Sequence, residues 1–106
     1  MESVENIDGD KLSLSLSGDM TIYDAENIKK TLINAVFGDS KNIEVNLSGV
    51  EEIDTCGMQV LMLAKRESGK LEKELKMVAH SPAVLELMDV FQLSDYFGDP
   101  LVMSKQ

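Results

Sequence analysis

Two stretches of strict alternation limit what this chain can fold into. Lys11-Leu12-Ser13-Leu14-Ser15-Leu16-Ser17 switches between polar and apolar residues without a break, and Asn42-Ile43-Glu44-Val45-Asn46-Leu47 repeats the pattern. A period of two places Leu12, Leu14 and Leu16 on one face of a strand, and Ile43, Val45 and Leu47 on one face of another. A parallel strand covered by helices on both faces would read as a near-continuous apolar run, whereas here the serines, Glu44 and Asn46 need polar surroundings. The helices are therefore expected mainly on one side of the sheet, as successive right-handed crossovers in one direction would place them.

The remaining segments fit that frame. Ser3 to Ile7 reads as a short edge strand joined to the first alternation by Asp8-Gly9-Asp10, because Asp-Gly supplies positive φ at little cost. Gly18-Asp19 breaks the alternation. Asp24 is then a candidate N-cap for a helix to about Phe37, whose apolar positions Ala25, Ile28, Leu32, Ala35 and Val36 recur at helical spacing before Gly38-Asp39 ends it. A helix beginning near Gly57 runs to Ser68-Gly69, and Glu67, Lys70, Glu72 and Lys73 suggest a solvated connection to a strand over Leu75 to Ala79. Ser81-Pro82 is an N-cap followed by proline at the first helical position, ahead of the stripe Val84, Leu87, Met88 and Phe91. A short turn over Leu93 to Phe97 and a last edge strand over Pro100 to Met103 complete an α/β domain spanning residues 1–106, with a mixed sheet of four or five strands.

Chemistry is concentrated where the polar turn Val50-Glu51-Glu52-Ile53-Asp54-Thr55 gives way to the apolar run from Gly57 to Ala64. Asp and Thr are favoured before a helix because their oxygens accept hydrogen bonds from N–H groups that the first turn leaves unpaired. Gly57 lets another backbone come close. One hydroxyl, that of Thr55, is thus presented at the positive end of a helix dipole, a place suited to a phosphate. By pattern alone Thr55 reads first as a helix cap and Asp54 as a turn or cap residue.

Asp54-Thr55-Cys56-Gly57-Met58-Gln59-Val60-Leu61 resembles the signature of the STAS domain family, whose best-studied members are bacterial anti-sigma-factor antagonists. The resemblance extends to Leu16-Ser17-Gly18-Asp19-Met20-Thr21, to Val45 through Val50 and to Met77 through Val84, and so covers about the whole chain. It implies a STAS-like fold and a protein-binding module switched by phosphorylation of Thr55. The unmodified form would bind an anti-sigma factor with kinase activity, the phosphorylated form would not, and a phosphatase would restore binding. Asp54, Cys56, Gly57, Met58, Met62, Thr21 and Met20 are the residues it places at the partner. Two positions depart from the common pattern: many antagonists have Asp where this chain has Thr21, and a hydroxyl residue where it has Cys56. The same fold also serves as a constitutive accessory or scaffold subunit, in ABC-type phospholipid transport, stressosomes or chemotaxis-linked arrays.

Composition narrows the partners further. The net charge of −9 repels nucleic acid and anionic lipid surfaces and favours a partner with a basic face. The longest apolar run, Val60 to Ala64, is far below the ~20 residues that span a bilayer, so no direct membrane insertion is expected. Met1 to Asp10 is acidic and polar, unlike a leader, and a single cysteine forms no internal disulfide, so a cytoplasmic location is expected. Exposed edge strands would also allow a second copy of the chain as a partner, giving a homodimer.

No cofactor is called for. Gly18, Gly38, Gly49 and Gly57 are isolated turn glycines with no phosphate-loop spacing, and Asp8, Asp10, Asp19 and Asp24 lack that of a calcium loop. His80, the sole histidine, has no neighbouring cysteine or paired carboxylates and is expected to be structural. An enzyme would need Asp54, Cys56 and His80 gathered as a nucleophile system, although the motif carries no base of its own. Catalysis is not expected. Met58 and Met62, four residues apart, read either as core or as an adaptable docking surface if exposed.

Overall fold

The computed structural model describes residues 1–91. Both alternating stretches form strands, β2 (Lys11–Met20) and β3 (Asn42–Ile53), which pair in parallel with Leu12 opposite Ile43 and Leu14 opposite Val45. Strand β1 (Glu2–Asp8) folds back antiparallel on β2 through a turn in which Gly9 has φ +61°, the conformation the Asp-Gly pair anticipates. Strand β4 (Glu74–Val78) lies parallel to β3, so the mixed sheet has the order β1-β2-β3-β4.

Helices α1 (Ala25–Val36) and α2 (Thr55–Lys70) make the two crossovers, and α3 (Pro82–Phe91) follows β4. They cover one face. Leu14, Val45 and Met77, side by side across three strands, are at most 1% exposed, while Ser15 and Lys76 on the other face are open to solvent. Burying each of the three apolar side chains stabilises the fold by about 1.5–3 kcal/mol, which is what pins the register.

The helix signals hold with two differences. Ile28, Leu32, Ala35 and Val36 are the buried stripe of α1, but the side chain of Asp24 makes no cap hydrogen bond. In α3, Ser81 Oγ accepts from the Val84 N–H at 3.3 Å, the capping geometry its sequence predicts. Lys73 is no solvated linker residue: its Nζ donates to the Val36 carbonyl at 2.6 Å and also to that of Gly38. A cation there satisfies carbonyls left over at the end of α1.

The largest departure from the sequence reading concerns Val50 to Ile53. That stretch is strand, not turn: β3 continues with Val50 opposite Gly18, Glu52 opposite Asp19 and Ile53 opposite Met20. Met20 and Val50 reach the core while Glu51 and Glu52 stay exposed, so two acidic residues sit in a strand without being buried. Register shifts between Ser15 and Ser17 and between Gly18 and Asp19 accommodate the change of face. The turn over 93–97 and the edge strand over 100–103 lie outside the described residues.

Candidate functional site

The C-terminal ends of β2 and β3 and the N-terminus of α2 meet at one end of the sheet, and Asp54 ties them together. Its backbone is extended, and it is the N-cap of α2. One carboxylate oxygen, Oδ1, accepts from the Gly57 N–H at 3.0 Å, and the other, Oδ2, accepts from the Ile22 N–H at 2.9 Å. The Asp54 N–H donates in turn to the Met20 carbonyl at 3.3 Å. A single side chain thus both starts the helix and fixes the β2–α1 loop beside it.

Gly57 makes the approach feasible. A Cβ at this position would stand 2.1 Å from the Met20 carbonyl oxygen, well inside contact distance and against backbone that has little room to move. Hence α2 can begin against the end of β2 only if residue 57 has no side chain.

These contacts set the electrostatics. Partial burial is the largest single influence on Asp54 and raises its pKa, but the N–H groups of Gly57, Ile22 and Cys56 donate to the charged form and together bring the carboxyl below its ordinary 3.8. The site therefore holds a carboxylate at neutral pH. Thr55, the first residue of α2, is exposed beside it. Because Asp54 takes the capping role, the hydroxyl of Thr55 is available at the positive end of the helix.

The structure sorts the partner-contact candidates into two groups. Thr21, Asp54, Cys56 and Met62 are half-buried and retain some surface, with Met62 packed partly against the core. Met20 and Met58 are 0% and 2% exposed and offer nothing to a partner; both belong to the hydrophobic core. Gly57 is buried too, and acts through the close approach of backbones. Of the two readings of Met58 and Met62, Met58 takes the core one, because the helical phase that places Val60, Leu61 and Ala64 on the sheet carries it inward with them, while Met62 keeps some surface. His80 is fully buried ahead of α3. Among the described residues, no group of three His, Cys, Asp or Glu side chains is placed to hold a metal ion.

Sequence reasoning missed two neighbours. Ile22 and Tyr23, in the loop that Asp54 secures, are 61% and 93% exposed. The available signal was two adjacent apolar side chains outside any periodic pattern. On the other side of Asp54 a groove of about 390 Å3 separates the end of β3 from α3, with Thr21, Glu52, Asp54, Glu86, Leu87 and Val90 in its wall. Val90 is 66% exposed and lies off the apolar stripe of its helix, a second signal that was legible but unread.

A family model described as "Mlab, STAS domain" matches residues 3–103. The chain is 31% identical over 93 residues to the intermembrane phospholipid transport system binding protein MlaB of Haemophilus influenzae, covering 85% of this chain and 89% of that protein. Its fold is similar to that of an anti-sigma factor antagonist from Mycobacterium paratuberculosis, with a TM-score of 0.83 at 20% identity over 95% of this chain and 86% of the other. It is similar also to the Bacillus cell fate determinant SpoIIAA in its phosphorylated form, with a TM-score of 0.70 at 17% identity over 94% and 92% of the two chains.

Proposed function

The chain belongs to the STAS domain family, and from that premise we propose that it is the binding subunit of an intermembrane phospholipid transport system, docking on its partner through the end of the fold that carries Thr55. The observation that carries this reading is the 31% identity to MlaB across most of both chains, whereas the antagonists of known structure, at 17% and 20%, share the fold alone. Binding, not catalysis, is the role: Asp54 is committed to two backbone N–H groups and His80 is buried. Among the described residues no helix is long and apolar enough to cross a membrane. In this reading the chain meets the transporter through a protein interface on its cytoplasmic side, where a transport ATPase would be met.

The site supports that role physically. An exposed hydroxyl at a helix N-terminus, flanked by exposed Ile22 and Tyr23, offers an aromatic anchor beside a polar centre, the mixture that protein interfaces favour. A second reading keeps the phospho-switch, in which an anti-sigma factor with kinase activity modifies Thr55 and a phosphatase reverses it. The exposure of Thr55 favours this reading. A phosphate would add about −1.5 to −2 charges and three acceptor oxygens next to the Asp54 carboxylate, making the end of α2 a poor match for an interface built around a neutral hydroxyl.

Co-purification from the native cell, with the partner identified by mass spectrometry, separates the two. Recovery of a phospholipid-transport ATPase by wild type and its loss with Thr55→Glu supports the first reading. Recovery of an anti-sigma kinase that labels Thr55 from ATP overturns it in favour of the second.

A further inference from the structure

The groove between the end of β3 and α3 combines features that select a ligand. Four carboxylates line it, from Glu51, Glu52, Asp54 and Glu86, and the first two are exposed because β3 runs on past the last residue of its pairing with β4. Between them lie Leu87, half-buried against the core, and Val90, which is largely exposed. No lysine or arginine is among the lining residues. The nearest strand pair adds another acid, since Asp19 stands opposite Glu52.

We infer that this groove receives a basic amphipathic helix of the partner protein, its apolar side chains seated on Leu87 and Val90 and its lysines or arginines meeting the four carboxylates. Charge complementarity argues for a basic occupant, because an acidic segment would add like charge to the four carboxylates and a neutral one would leave them unmatched. A helix is the form that supplies apolar anchors at i, i+3, i+4 and i+7 on one side and a cationic rim on the other. The inference rests on the proposed binding role and specifies the chemistry of the partner at the same end of the fold.

The test uses the full chain and a synthetic probe: an amphipathic helical peptide of about eighteen residues built from leucine and lysine, with leucines at helical spacing. A scrambled peptide of identical composition and a glutamate-for-lysine version are its controls. Backbone amide shifts of the 15N-labelled protein should move at 51–55 and 83–90 with the first peptide, and neither control should bind comparably. Glu86→Lys and Val90→Asp, both exposed and so safe for folding, should each weaken the peptide roughly tenfold, while Glu44→Lys on the open sheet face should not. Equal binding of the scrambled peptide, shifts centred on Glu44 and Glu74, or indifference to both groove variants would overturn the inference. Such a failure would leave the Thr55-dependent capture of a transport ATPase standing, and an unrelated partner in that capture would leave the peptide result standing.

Discussion

At the scale of single residues, Asp54 does two jobs that one amide cannot do together. Asp54→Asn keeps one oxygen for the Gly57 N–H but turns an NH2 group toward the Ile22 N–H, setting donor against donor. The variant should lose about 1 kcal/mol of stability in urea unfolding. Faster amide exchange at Ile22 than in wild type should accompany it, and unchanged exchange there would show that the loop is held some other way. The acidity of Asp54 gives a sign to the pH dependence. Its folded pKa lies below the unfolded 3.8, so its contribution is fully present above 3.8 and is lost as pH falls through the folded value. Acid unfolding of Asp54→Asn should therefore be less steep than that of wild type in the range below pH 3.8. Gly57→Ala makes the complementary point. Alanine raises helix propensity by up to about 1 kcal/mol, but the clash with the Met20 carbonyl is against backbone and should win, for a net loss of about 1–3 kcal/mol in thermal melts. These residues were legible because their chemistry is local: an acid before a helix and a glycine just inside it. Ile22 and Tyr23 were not, because their value comes from a hydrogen bond that closes over thirty-two positions.

Elements were legible where one face is buried and one is wet. The Leu12–Leu16 and Ile43–Leu47 alternations gave both the strands and the one-sided placement of the helices, since period and burial are the same fact for a half-covered sheet. The end of β3 was misread for a physical reason. Glu51-Glu52 looks like a turn, yet a strand that overhangs its neighbour can carry acids on exposed positions while Val50, with Ile53 packed against the core, keeps it anchored. That overhang has a cost that can be measured. Glu52 stands directly opposite Asp19, and like charges in cross-strand pairs are destabilising. Glu52→Lys should raise stability by about 0.2–1 kcal/mol while weakening the lysine-rich peptide. A variant less stable than wild type would show that the pair is not repulsive in the folded chain. Met58 marks the other limit of element-level reading, because methionine at helical spacing is compatible with either face until the helix is docked.

On the scale of the whole molecule, the fold leaves two kinds of surface, and charge distinguishes them. The open sheet face mixes signs, with ion pairs between Lys11 and Glu44 at 3.2 Å and between Lys76 and Glu74 at 3.3 Å, so it satisfies itself. The end carrying Thr55 has that residue's exposed hydroxyl, the exposed Ile22 and Tyr23, and a groove rimmed by acids with no basic side chain among its described lining residues. Edge strand β1 is exposed throughout, but Glu2, Glu5 and Asp8 along it discourage pairing with a second copy. A partner is therefore drawn to one end of the molecule. Hydrogen-exchange protection of the domain, measured free and in complex with the partner it co-purifies with, tests this directly. New protection should appear at 21–24, 54–58 and 83–90 and leave 11–17 and 74–78 unchanged, whereas protection of those two open-face strands with none around Thr55 would contradict the account.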